Sequence, residues 1–194
     1  MTQLKLVALK KLLADRWLNY YEATYQNPKQ EEINYHFVSR EANLTTDNLK
    51  HPVTASTVTM FCLNHDHSQV LLLRQFRLPL NDYVYGNSAG LIEPGETVEQ
   101  AIERELVEET GYQGVHIDQI FSPSYSTPGI TDGAITLAIC TIDQHPSQET
   151  ALESAEELTS IWVDKKRAAE ILANGKISGR TQLLLWQWVN DRLN

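Results

Sequence analysis

Gly90-Leu91-Ile92-Glu93-Pro94-Gly95-Glu96-Thr97-Val98-Glu99-Gln100-Ala101-Ile102-Glu103-Arg104-Glu105-Leu106-Val107-Glu108-Glu109-Thr110-Gly111-Tyr112 decides how the rest of the chain is read. Between Glu93 and Glu109 lie seven glutamates and one basic residue, Arg104. The first half is a Gly/Pro turn, and Thr97 with Gln100 three places on predicts a capping-box helix start. Val98, Ala101, Ile102 and Leu106 recur at helical spacing, and Gly111 is a natural C-terminal stop. At about 100° per residue, Glu105 and Glu109 fall within roughly 20° of Val98, so they extend the apolar stripe. Glu108 sits on its flank beside Ala101. Glutamate runs are most often a solvated helix face. Here the inward phase argues otherwise: carboxylates at i, i+3 and i+4 repel, and burying them unpaired costs several kcal/mol. A hard divalent cation, which prefers carboxylate and carbonyl oxygens, resolves both problems.

The stretch resembles the signature of the Nudix hydrolases at every fixed position: Gly90, Glu96, Arg104, Glu105, Leu106, Glu108, Glu109, Gly111 and Tyr112. The resemblance implies a loop-helix-loop that holds Mg²⁺, or Mn²⁺, against a diphosphate. Glu105 and Glu109 would be the principal ligands, with Glu108 and the carbonyl of Ala89 beside them. Arg104 would orient a glutamate, and Glu96 would tie the loop to the helix.

Further features are similar to the ADP-ribose pyrophosphatase branch of that family. Pro128-Gly129 lies where the branch carries a proline sixteen residues beyond the box. Leu73-Arg74-Gln75-Phe76-Arg77 is similar to the strand before the box, whose second arginine, here Arg77, approaches the phosphates. Trp17 and Tyr35 align with aromatics that sandwich adenine, often across a dimer interface; both also suit plain sheet packing. Two departures stand out. The branch usually enters its box through Glu-x-Pro-Ala-Gly, and this chain has Gly86-Asn87-Ser88-Ala89-Gly90. A glutamate common after the Pro-Gly turn is replaced by Thr131-Asp132-Gly133, so the general base is expected from a later loop, at Glu157 with Glu156 beside it.

The resemblance implies a Nudix fold: a mixed β-sheet in an α/β/α sandwich, with a small N-terminal antiparallel extension over residues 1–50 and the hydrolase domain over 51–194. Pattern alone supports that class. Residues 17–25 and 33–40 read as a hairpin about Asn27-Pro28-Lys29-Gln30. Residues 53–63, 69–76, 114–125, 134–142 and 157–163 read as strands, and 165–173 and 181–193 as helices. Residues 3–14 are amphipathic with helix and strand both open. Residues 143–156 are polar and acidic, which reads as a mobile loop. His65-Asp66-His67 joins two strands and reads as a solvated turn. Trp186 and Trp188 lie two apart on the last helix, so at most one faces the core squarely.

A formal charge of −9 and a pI near 5.1 argue against nucleic acid or anionic membrane as the main partner. Cys62 and Cys140 fall in apolar, strand-like runs and read as buried thiols, with a disulfide left open. No signal-peptide pattern or bilayer-length apolar run is present, which points to the cytosol. The expected activity is metal-dependent hydrolysis of ADP-ribose to AMP and ribose 5-phosphate by a homodimer. Another nucleoside diphosphate sugar, a dinucleotide, or a non-hydrolysing sensor are the alternatives.

Overall fold

A computed structural model describes residues 4–49, 54–143, 145–152 and 154–193. In chain order the elements are β1 (Lys5–Ala14), β2 (Asn19–Gln26), β3 (Glu32–Ser39), β4 (Ala55–Leu63), β5 (Gln69–Arg77), β6 (Asp82–Gly86), β7 (Ser88–Leu91), α1 (Val98–Thr110), β8 (His116–Ile120), β9 (Ser124–Tyr125), β10 (Ala134–Thr141), β11 (Leu158–Asp164), α2 (Lys165–Asn174) and α3 (Gly179–Val189). They divide into two units. One takes residues up to Ser56 with Pro123–Ile135, the other Thr57–Ser122 with Thr136 onward. The segment 123–135, expected within the hydrolase domain, thus groups with the N-terminal strands. Residues 50–53, which span the expected boundary between 50 and 51, lie outside the described residues.

In the first unit β1, β2 and β3 form an antiparallel sheet in that order. The undecided segment 3–14 is therefore a strand where it is described. Its register slips between Leu6 and Ala8 and again between Lys11 and Leu13. Each slip breaks the two-residue alternation, which is why neither period reads cleanly there. The β2–β3 turn closes as expected: Asn27 Oδ1 accepts from the N–H groups of Lys29 (2.9 Å) and Glu31 (3.0 Å). Tyr21, Ala23, Phe37 and Leu44 are its small core. Residues of the 123–135 segment bind the edge of β3, where Val38 N–H donates to Ile130 O at 2.9 Å.

In the second unit the sheet runs β11-β5-β4-β10-β8, with β6 also on β5 and β7 on β4. Successive side chains of a strand face opposite sides. Val58, Met60 and Cys62 of β4 pack with Ala101, Ile102 and Leu106 of α1. Phe61 and Leu63 pack with Ala168 and Ile171 of α2 and Leu184, Leu185 and Trp188 of α3. Because both faces of the central strands are apolar, helices cover both: the mixed sheet sits between helical layers. β6 and β7 went unread in the sequence. They are short, glycine-bearing, and defined by pairing with β5 and β4. The last helix is shorter than expected, ending at Val189 ahead of Asp191 in the left-handed region (φ 55°). Trp188 is 4% exposed and Trp186 43%, so one of the pair faces the core. Cys62 and Cys140 are free and buried. His67 closes an exposed turn with φ 56°.

Candidate active site

The loop and α1 carry the acidic cluster. Thr97 Oγ1 accepts from Gln100 N–H (3.2 Å), and the Gln100 side chain accepts from Thr97 N–H (2.9 Å), so the predicted box is present. Gly111 ends the helix with φ 75°. Only a residue without Cβ takes that conformation cheaply.

Arg104 organises the cluster. Its Nε and Nη2 donate to the two oxygens of Glu96 (2.9 Å each), and Nη1 donates to Glu105 (2.8 Å) and Glu108 (3.1 Å). Nη2 also donates to Leu91 O at 2.7 Å, and Glu96 in turn accepts from Glu93 N–H at 2.9 Å. The loop is thus laced to the helix through one guanidinium. Its hydrogen bonds hold Glu96 below the usual carboxylate range.

Glu109 is 4% exposed and faces the core side, as its phase predicts. Ser88 Oγ donates to it at 2.5 Å and Ala89 N–H at 3.1 Å. These two donors do not offset desolvation, which pushes its carboxyl up to about 8. Burial likewise raises Glu105, against the pull of Arg104. Gly90 lies directly beneath Glu105: a Cβ there would sit 1.8 Å from the carboxyl carbon. The glycine reserves the space that the carboxylate occupies.

Three carboxylates therefore share one guanidinium, and a fourth, the most buried, meets only neutral donors. That excess of hard anionic oxygen fits a divalent cation such as Mg²⁺ or Mn²⁺. Among the described residues, no three such side chains converge on one point. Arg104 draws Glu105 and Glu108 to itself while Ser88 and Ala89 hold Glu109. Asn87, in the departing run 86–88, is buried with both ends of its amide unpaired.

Strand parity sorts the remaining candidates. On β5, Leu71 packs on the α1 side and Val70 and Leu72 on the α2/α3 side. Arg77 shares the parity of Leu71, so it belongs to the α1 face; Arg74 belongs to the other. On β11, Trp162 packs on the α1 side and Ile161 and Val163 on the α2/α3 side. The same count puts Glu156 toward α1 and Glu157 away from it. The contacts agree. The Glu157 carboxylate accepts from Tyr83 Oη, whereas the charge of Glu156 contributes to the upward shifts of Glu105 and Glu109. Face parity therefore favours Glu156 over the expected Glu157. The loop before them is less free than its composition implies: Ala151 N–H donates to Glu108 O (2.8 Å) and Ser147 N–H to Gly111 O (3.0 Å).

In the first unit, Tyr35 Oη donates to Gly129 O at 2.5 Å. Tyr35 and Pro128 line a cavity of about 340 Å³ with Tyr25, Phe37, Tyr125 and Asp132. Trp17 stands at the β1–β2 connection, 53% exposed, under the guanidinium of Arg16 (4.6 Å). The structure brings Tyr35, Pro128 and Gly129 together and leaves Trp17 elsewhere on the same unit.

The NUDIX domain profile matches residues 53–184. The chain belongs to the NUDIX family. ADP-sugar pyrophosphatase of Mus musculus is 34% identical over 110 residues, 56% of this chain and 49% of the relative. An NAD-capped RNA hydrolase of Homo sapiens is 29% identical over 130 residues, 66% of this chain and 26% of the relative. GDP-mannose pyrophosphatase of Yersinia pestis is 31% identical over 138 residues, 66% and 67% of the two chains. This NUDIX chain thus spans about half the length of the mouse relative and about a quarter of the human one. The crystal structure of an ADP compounds hydrolase superposes with a TM-score of 0.72 at 17% identity, over 100% of this chain and 98% of the other. That likeness shows the NUDIX fold. Among the described residues no helix is long and apolar enough to cross a membrane.

Proposed function

We propose that this chain hydrolyses the pyrophosphate bond of ADP-ribose, giving AMP and ribose 5-phosphate, with Mg²⁺ or Mn²⁺ as cofactor. The observation that carries the reading is Glu109, a buried carboxyl beside two further glutamates, with its proton held up to about pH 8 by desolvation. A divalent cation in place of that proton would supply the charge that burial withholds.

Glu105, Glu108, Glu109 and the carbonyl of Ala89 are the proposed ligands. Once bound, the cation supplies positive charge against the diphosphate oxygens and makes water easier to deprotonate. Arg104 holds the glutamate array in register, and Arg77 offers a second cation from the α1 face. Glu156 takes the proton from the attacking water. Within the first unit, the cavity lined by Tyr25, Tyr35, Tyr125 and Pro128 offers aromatic faces on which a planar ring can stack. The finer expectations of a cytosolic homodimer belong to the same proposal. For the dimer, the exposed apolar side chains Leu4, Val7, Leu12, Leu13 and Leu18 of the N-terminal unit are available to a second copy.

A second reading has its own support. Gly86 stands where the ADP-ribose branch carries glutamate, and the Yersinia pestis GDP-mannose pyrophosphatase is matched over two thirds of its length. Turnover of ADP-ribose, GDP-mannose, NADH and diadenosine polyphosphates, each with Mg²⁺ and with EDTA, separates them. Metal-dependent release of AMP, fastest from ADP-ribose, is the expected result. Preference for GDP-mannose selects the second reading, and tight binding without product overturns both.

A further inference from the structure

One cluster outside the acidic site has no role in the chemistry so far described: Arg74, Phe76, Tyr83 and Glu157. Phe76 and Tyr83 are register partners on β5 and β6, and their rings meet edge-on at 5.3 Å. The guanidinium carbon of Arg74 lies over the Tyr83 ring, 3.7 Å from its centroid. On the other side of β5, Leu158 pairs with Gln75, and the ladder runs one residue further because Phe76 N–H donates to Glu157 O at 2.8 Å. Tyr83, Phe76 and Glu157 therefore form one cross-strand row over β6, β5 and the entry to β11, all on the α2/α3 face. Tyr83 Oη closes the row by donating to the Glu157 carboxylate.

The row bears on the reaction because Glu156 precedes Glu157. In an extended chain, holding one side chain on one face sends its neighbour to the other. The loop ahead is tied at its far end by Ala151 N–H to Glu108 O. Between that tie and the row, residues 154 and 155 form a turn, so the direction of Glu156 depends on where Glu157 is held. We infer that Tyr83 is a positioning residue for the hydrolysis: its hydroxyl pins Glu157 to the α2/α3 face and so presents Glu156 to the glutamates of α1. Arg74 holds the Tyr83 ring by cation–π contact, and the Phe76 edge stops it from rotating away. The inference rests on Glu156 as the proposed base.

The test compares kcat and KM of the full chain for the best substrate of the panel, in saturating Mg²⁺, across five variants. Tyr83→Phe keeps the ring and removes the hydroxyl. It is expected to lower kcat about tenfold with KM within twofold and the thermal midpoint nearly unmoved. Glu157→Ala is expected to match it, and the double variant to be no worse than either, since both cut one link. Glu157→Gln, which still accepts the hydroxyl, is expected to fall less than Glu157→Ala. Glu156→Gln is expected to lose about 100-fold or more. Turnover kept in Glu156→Gln refutes the base assignment and takes the positioning role with it. Turnover lost there but kept in Tyr83→Phe refutes the positioning role alone, as do additive losses in the double variant.

Discussion

Replacing Glu109 by Gln isolates the cost of burying a charge in the acidic site. Desolvation raises the carboxyl from its ordinary 4.5 to about 8. A raised acid binds its proton more tightly folded than unfolded, so the stability it contributes is full below about pH 4.5 and is lost as pH rises to about 8. The gap of 3.5 pH units, at about 1.36 kcal/mol each, gives roughly 5 kcal/mol lost across that window without metal. The amide of the Glu109→Gln variant has no such proton to lose and can still accept from Ser88 and Ala89. Urea unfolding in EDTA at pH 5, 7 and 9 is therefore expected to find the two proteins similar at pH 5 and the variant ahead by several kcal/mol at pH 9. Adding Mg²⁺ is expected to stabilise the parent protein at pH 9 much more than the variant, because the ion replaces the missing proton. Turnover of the variant is expected to fall by orders of magnitude. A stability difference that does not vary with pH would refute the reasoning, since desolvation would then not be what burdens Glu109.

Gly90→Ala would place a methyl group within the Glu105 carboxyl, 1.8 Å from its carbon; weaker Mg²⁺ binding by titration calorimetry and lost turnover are expected. Gly111→Ala strains a left-handed residue (φ 75°) and drives its Cβ to 2.2 Å from Gln148 O. It should destabilise by about 1 kcal/mol or more and raise hydrogen exchange at residues 147–151. Thr97→Ala removes the helix cap and should cost about 1 kcal/mol in urea unfolding, with turnover per folded molecule nearly unchanged.

How much was legible follows from which signals are local. The cap at Thr97, the stop at Gly111 and the inward phase of Glu109 all sit within one helix, where a fixed rotation per residue turns spacing into direction. The apolar runs of β4 and β5 read directly because they are buried on both faces. β1 resisted because two bulges reset its alternation. β6 and β7 resisted because Gly86, Gly90 and polar neighbours look like loop until partner strands are in place. The choice between Glu156 and Glu157 needed the register of β11 on β5, which brings together residues more than 80 positions apart in sequence. The resemblance implied that Arg104 orients one glutamate; its contact with three, and the closeness of Gly90 to Glu105, are tertiary facts.

Two glutamates in tandem at the mouth of β11 make this chain sensitive to loop length. One inserted residue after Glu157 would slide that carboxylate into the slot its predecessor now fills, while severing the tie to Tyr83. A chain so altered keeps an acid beside the helix yet loses its aim. Length changes in this loop would then tune speed before they abolish it.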